Sequence, residues 1–178
     1  MFFIEDKSFL TDEQKNFIEN QILGFTNLAY FFQPSGANND NCPSLSHFAI
    51  RSPSERADKN EYYNSQHAID LEKIVIHFCE KNKIKLNKIL RIAINLTYNN
   101  GCESCSIHKD HMFSHRQLLI YLNDCDKNSK TIIYNESKEK VLKDISPEKY
   151  KGVCFEGLPH KHFYPKVGHR IVLICTFT

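Results

Sequence analysis

The stretch CESCSIHKDHMFSH, from Cys102 to His115, places two cysteines, three histidines and an aspartate within fourteen residues. All of these side chains can give a lone pair to a metal ion, and two arrangements are open. Cys102 and Cys105 have the two-residue gap of a zinc knuckle, and His108 and His111 follow at intervals of three, so four zinc-type ligands stand in a row. Structural zinc sites, however, usually separate their ligand pairs by a longer loop so that the pairs can surround the ion. The second arrangement uses His108 and Asp110. On an extended backbone residues i and i+2 share a face, so this imidazole and carboxylate can reach one ion together. A third ligand must then come from elsewhere in the fold, and the chain offers His160 and, two residues on, its rival His162. Two histidines and one carboxylate on one side of Fe(II) leave the opposite coordination positions open.

A second chemical signal lies in the last segment, HRIVLICTF. Arg170 alternates there with apolar neighbours, which aims an always-charged guanidinium at one face of a strand. Such a placement is costly unless an anion meets it, and otherwise implies an edge-strand charge or an internal ion pair.

These residues need a scaffold, and the chain divides into a helical, loop-rich first part and a strand-rich second part. MFFIEDKSFL predicts a first strand. Thr11, with Gln14 three residues on, predicts a capping box, followed by a helix whose apolar side carries Phe17, Ile18 and Ile22 and which ends at Gly24. FTNLAYFFQ predicts a strand. Residues 33–60, rich in Pro, Ser, Asn and Asp, predict a long loop or lid. From Asn64 to Lys81 the pattern is helical, with Ile69, Lys73 and Ile76 assigned to a shared face. After Lys88 the segments ILRIAINLTY, RQLLIYLN, KTIIYN, GVCFEG and HRIVLICTF are short, β-branched and separated by turn residues, the pattern of an antiparallel barrel or double-sheet roll. Helices do not alternate with these strands and no glycine-rich phosphate loop follows the first one, which argues against a doubly wound nucleotide fold.

Bulk properties narrow the classes. The 178 residues, 41% hydrophobic and 25% charged, fit a single globular domain over 1–178. With 23 basic and 21 acidic residues and no long block of one sign, a strongly charged nucleic-acid groove is disfavoured, although nucleic acid is not excluded as a partner. No segment approaches the ~20 apolar residues that span a bilayer, so no membrane partner is expected. Seven cysteines without a secretion signal suggest reduced thiols in a cytoplasmic setting.

Over residues 88–178 the sequence resembles the 2-oxoglutarate and Fe(II) dependent dioxygenases, in particular the prolyl-hydroxylase-like members. The resemblance rests on HKD (His108 to Asp110), on the YLN that ends the next strand (Tyr121 to Asn123), and on a distal His160 followed by Gly168 at eight residues and Arg170 at ten. Pro165 stands one place later than the family's common position. The first 88 residues carry no comparable signature.

The resemblance implies a mostly β, α+β fold, a double-stranded β-helix (jelly roll, cupin-like) with N-terminal supporting helices. It implies Fe(II) bound by His108, Asp110 and His160, with 2-oxoglutarate and dioxygen as cosubstrates, and assigns Arg170 to the distal carboxylate of 2-oxoglutarate. Tyr98 and Asn95, ten and thirteen residues before His108, fall where similar enzymes hydrogen-bond the cosubstrate, and Tyr121 is a further candidate pocket wall. The implied activity is hydroxylation of a C–H bond, with a protein or peptide side chain such as proline as the first choice of substrate. Demethylation of nucleic acid, hydroxylation of a small molecule, and a metal-binding or interaction domain without turnover are the alternatives; oligomeric state is left open.

Overall fold

The computed structural model describes residues 2–24, 28–37, 40–51 and 62–178. Two antiparallel sheets face one another, and helices cover the outer face of the larger. The eight-stranded sheet is built from β1 (Phe3–Asp6), β2 (Phe31–Gln33), β3 (Ser44–Arg51), β4 (Tyr62–Tyr63), β5 (Ile89–Tyr98), β6 (Arg116–Tyr121), β9 (Gly152–Glu156) and β11 (His169–Phe177). Its order is β1-β9-β6-β11-β5-β3-β2, with β4 also paired to β3. The three-stranded sheet runs β10-β7-β8, from β7 (Thr131–Tyr134), β8 (Val141–Ile145) and β10 (His160–His162). The expected first strand is β1, and it pairs with β9 at the sheet edge.

Strand parity divides the interior in two, because alternate side chains leave opposite faces of a sheet. On β11, Ile171, Leu173, Cys175 and Phe177 join the core under the helices, whereas Val172 packs between the sheets. On β6, Leu118 and Ile120, with Leu122 just past its end, likewise meet the helices, while Leu119 and Tyr121 face the small sheet. The inter-sheet core is completed by Ile133, Ile145, Val153 and Phe155. Helix α1 (Asp12–Phe17) begins with the expected capping box: the Gln14 N–H donates to Thr11 Oγ1 and the Thr11 N–H donates to Gln14 Oε1, each at 3.1 Å. It continues as a π-helical turn, Ile18–Ile22, whose Ile18 and Ile22 are buried.

Three expectations are corrected. Helix α2 spans Ala68–Lys81 and buries Ala68, Leu71, Ile74, Val75, Phe78 and Cys79. The assigned face of Ile69, Lys73 and Ile76 points outward instead; the i, i+3, i+4 series starting at Leu71 is longer and more apolar, and burial follows it. Residues 33–60 are not one long loop, since β3 occupies Ser44–Arg51 between β2 and β5. Ser44 and Ser46 face a polar interior there, so this strand's buried positions read as loop composition. Residues 38–39 and 52–60 of that expected lid, like 25–27 of the expected FTNLAYFFQ strand, lie outside the described residues. The third correction concerns the thiols. Cys42, just before β3, and Cys102, just after β5, are joined as a disulfide with their Cα atoms 5.9 Å apart, because pairing of these neighbouring strands brings the two ends together. Cys79, Cys105, Cys125, Cys154 and Cys175 take part in no disulfide. Among the described residues no helix is long and apolar enough to cross a membrane.

The burial pattern of α2 predicts a sharp contrast between neighbouring positions. Leu71, fully buried, should cost about 2–5 kcal/mol when changed to alanine. Ile69, 58% exposed, should change stability by no more than about 0.5 kcal/mol. Urea unfolding of the two variants measures the difference, and equal losses would refute the assigned face.

Candidate active site

Between the sheets lies a cavity lined at one part by His108, Asp110 and His160, at another by Arg170 and Thr131, and along its walls by Arg91, Ala93, Asn95, Gln117, Leu119, His162 and Ile174, with Gln33, Ser35 and Gly36 among the lining of its mouth. The parity that packs the core also fills this cavity. Arg91, Ala93 and Asn95 leave one face of β5, and Gln117 and Leu119 leave the matching face of β6.

The HKD segment is held by backbone. His108 N–H donates to the His160 carbonyl at 3.0 Å and His160 N–H donates to the His108 carbonyl at 2.9 Å, a reciprocal antiparallel bridge. A second bridge joins Ser104 to Phe163, so residues 104–108 extend the small sheet beyond β10. The His108 and His160 rings come within 4.5 Å, centroid to centroid. Each imidazole is oriented in the same way. Its Nδ1 meets a carbonyl two residues back, Ser106 for His108 and Leu158 for His160, both at 2.9 Å. Donation from Nδ1 leaves the Nε2 lone pair available in each ring. The lone pair of His160 receives the Gln117 amide at 3.3 Å, and Asp110 Oδ2 lies 3.6 Å from the same nitrogen.

Asp110 divides its two oxygens. Oδ1 pairs with the Arg91 guanidinium, whereas Oδ2 is buried without a hydrogen-bond partner. Burial alone would raise its carboxyl, but Arg91, with His160 and His108 adding to it, holds the group well below the usual carboxylate range. Burial pushes the His160 imidazole down to about 4, against the opposing pull of Asp110, so the ring is neutral and its lone pair is free of a proton near neutral pH. Among the described residues no three His, Cys, Asp or Glu side chains are gathered into a ready-made metal cage. The chemistry of the donor set nevertheless fits a divalent ion: two imidazoles, each oriented by a carbonyl at Nδ1, and one ionised carboxylate with an orphaned oxygen face one space.

Arg170 is 3% exposed. Its Nη2 donates to Thr131 Oγ1 at 3.0 Å, its guanidinium carbon stands 5.3 Å from the centre of the Tyr121 ring, and its Nε has no partner. The Tyr121 hydroxyl bonds the same Thr131 oxygen at 3.0 Å. No carboxylate pairs with Arg170 among the described residues.

The structure thus brings His108, Asp110, His160, Arg170 and Asn95 to one cavity, and sets Tyr121 behind it, fully buried, reaching the cavity through Thr131. Asn95 accepts a hydrogen bond from Ser46 Oγ at 2.9 Å. Tyr98 is not among the lining residues. Three positions separate it from Asn95, and an odd interval on one strand places the two side chains on opposite faces. The zinc-knuckle alternative also fails to assemble: Cys102 is bonded to Cys42, and Cys105 packs against His162 rather than His108 or His111. His111 is turned to Thr176 Oγ1 at 2.9 Å, and His115 lies against Gly157, where any β-carbon would overlap its ring. Arg91, Gln117 and Thr131 are site residues that sequence reasoning missed. A signal existed for two of them, since Arg91 has the parity of Asn95 and Gln117 that of Tyr121.

The mouth is pinned as firmly as the floor. Asp40 Oδ1 accepts from Ser35 Oγ and from the N–H groups of Gly36 and Cys42, and its Oδ2 accepts from the Ser106 N–H at 2.9 Å. One carboxylate therefore ties the rim to the segment that carries His108.

No family profile and no curated protein sequence matches the chain. Solved structures do. A 2OG-Fe(II) oxygenase family oxidoreductase from Burkholderia pseudomallei superposes with a TM-score of 0.77 at 11% identity, over 99% of this chain and 84% of that one. A prolyl hydroxylase from Trichoplax adhaerens, solved with a hypoxia inducible factor peptide fragment, gives 0.64 at 17% identity, over 98% and 82%. The viral collagen prolyl hydroxylase of Paramecium Bursaria Chlorella virus-1, solved with 2OG, gives 0.58 at 14% identity, over 99% and 94%. The expected double-stranded β-helix is therefore the fold of this chain, shared with 2OG-Fe(II) oxygenases.

The Arg91 and Asp110 pair yields a prediction that needs no ligand. Arg91→Ala leaves a buried carboxylate without its cation and should cost about 3–5 kcal/mol in urea unfolding, whereas replacing both residues, R91M with D110L, should recover most of that loss. Equal destabilisation in the single and double variants would show that the pair is not the source.

Proposed function

We propose that this protein is a 2-oxoglutarate and Fe(II) dependent oxygenase that hydroxylates a C–H bond. The observation that carries the reading is Arg170: a buried cation with no acidic partner among the described residues, in the cavity that also receives His108, Asp110 and His160. A buried guanidinium calls for an anion, and the distal carboxylate of a 2-oxo diacid supplies one through two parallel hydrogen bonds.

In this reading His108, Asp110 and His160 hold the iron, which with 2-oxoglutarate and dioxygen supplies the oxidising power for hydroxylation and releases succinate and carbon dioxide. The protein's own work is orientation and exclusion. The Ser106 and Leu158 carbonyls fix the two imidazoles in the tautomer that presents Nε2. Arg91 keeps Asp110 ionised and occupies one of its oxygens, leaving the other for the metal. Gln117, whose amide now meets the His160 lone pair, would have to release that nitrogen for it to hold the ion. Arg170 and Thr131 bind the far end of the cosubstrate, and Ala93, Leu119 and Ile174 give the cavity its apolar walls. Asn95, beside Ser46, is the polar wall group placed to contact the cosubstrate.

A peptide or protein side chain such as proline is the proposed substrate, supported by the shared fold with the prolyl hydroxylases, one of them solved with a bound peptide fragment. A small-molecule substrate is the second reading, favoured by an equally good superposition on the alpha ketoglutarate dependent epimerase SnoN, with a TM-score of 0.66 at 8% identity, over 99% of this chain and 78% of that one. We place the protein in the cytoplasm on the five cysteines that form no disulfide, against the one Cys42 to Cys102 bond.

Reconstitution without oxygen should give one tightly bound Fe(II). H108A, D110A and H160A should each lose it, and C102S/C105S should keep it. R170A should retain iron but weaken 2-oxoglutarate binding by roughly 2–5 kcal/mol, as expected when one partner of a buried charged pair is removed. Isothermal titration of the iron-loaded proteins reads both affinities, and unchanged 2-oxoglutarate affinity in R170A would remove the arginine from the site.

A further inference from the structure

We infer that His162 is a specificity residue, donating a hydrogen bond from Nε2 to the distal carboxylate of the 2-oxo acid held by Arg170. The inference rests on the cosubstrate reading of the cavity and adds to it a group that discriminates between 2-oxo acids.

Sheet register places His162. In the pairing of β10 with β7, His160 stands opposite Ile133, whereas His162 stands opposite Thr131, the residue whose hydroxyl accepts from Arg170. The strand advances ~3.3 Å per residue, so His162 is carried about 6–7 Å from His160 toward the arginine end. It lines the same cavity.

Cys105 fixes what His162 presents. The His162 backbone N–H donates to Cys105 Sγ at 3.3 Å, and the sulfur lies 3.2 Å from His162 Nδ1. A thiol has one hydrogen, and with its sulfur already accepting from the backbone we assign that S–H as the donor to Nδ1. The ring proton of the neutral imidazole then sits on Nε2. That nitrogen is buried and has no hydrogen-bond partner. A buried N–H without an acceptor costs stability, and a carboxylate oxygen brought in by Arg170 removes the cost. Two carboxylate oxygens offer about four acceptor positions, enough for the guanidinium fork, the Thr131 hydroxyl and this third donor.

The test compares two ligands of equal chain length, 2-oxoglutarate and 2-oxovalerate, which lacks the distal carboxylate. Each is titrated anaerobically into iron-loaded protein by calorimetry, with chemical denaturation confirming that each variant folds. His162→Phe keeps a ring and removes the donor; it should weaken 2-oxoglutarate about tenfold while leaving 2-oxovalerate and Fe(II) affinities unchanged. His162→Gln, which restores an N–H at similar reach, should return 2-oxoglutarate to within about threefold of the wild type. Equal weakening of both ligands, or loss of iron in both variants, would place His162 at the metal end and overturn the inference. Undiminished preference for 2-oxoglutarate in H162F would overturn it too, while leaving the cosubstrate reading intact. If the wild type itself shows no preference for 2-oxoglutarate, the cosubstrate reading fails and the inference with it.

Discussion

A guanidinium buried inside a β-roll is the constraint around which the rest is arranged. Arg170 leaves β11 on the inward face, and the strand's alternation then commits Val172, Ile174 and Thr176 to the same side and Ile171, Leu173, Cys175 and Phe177 to the helix-covered side. β11 lies between β5 and β6, so its choice propagates to both neighbours: Arg91, Ala93 and Asn95 on one, Gln117 and Leu119 on the other. A shift by one residue would put the charge into the apolar layer beneath α2, where neither Thr131 nor water could meet it. The arginine thus fixes strand register through its cost in the wrong place and, in the right one, shares a cavity with polar groups from both neighbouring strands.

The opposite part of the cavity solves a related problem with a pair. Asp110 is buried beside imidazoles, and the Arg91 guanidinium that pairs with it is the largest influence holding it ionised. The two charged features are therefore unlike. Asp110 is already paired along one edge and leaves its other oxygen without a hydrogen bond, whereas Arg170, among the described residues, meets a hydroxyl and an aromatic face but no carboxylate. The interior is polarised along its length, with donors concentrated where a carboxylate would lie and lone pairs where a cation would lie.

What could be read from the chain follows from where its polar residues point. β5, β6, β7, β9 and β11 are visible as apolar runs because at least one of their faces meets a hydrophobic layer. β3, β8 and β10 were not. Ser44 and Ser46 face the polar cavity, β8 exposes Val141, Lys143 and Asp144, and β10 is only His-Lys-His, held by its partners rather than by propensity. The HKD segment, His160 and Arg170 were legible because their spacing resembles a known family, and Asn95 could have been separated from Tyr98 by parity alone. The face of α2 was misread because exposed Ile69 and Ile76 imitate a stripe, and no count of apolar residues reveals which stripe a sheet will cover. The Cys42 to Cys102 bond depends on the unseen β3, and so escaped notice for the same reason as that strand.

One small contact ties distant pieces of the chain into a single mechanical body. The His115 ring lies directly on Gly157, and the Gly157 N–H donates to the His115 carbonyl at 2.9 Å. His115 closes the loop that begins at His108, and Gly157 opens the turn that leads to His160. The absence of a side chain at 157 therefore lets these two loops nest without a gap. In the language of hydrogen exchange, a contact of this kind would couple the opening of the amides from 108 to 115 to that of the amides from 157 to 160.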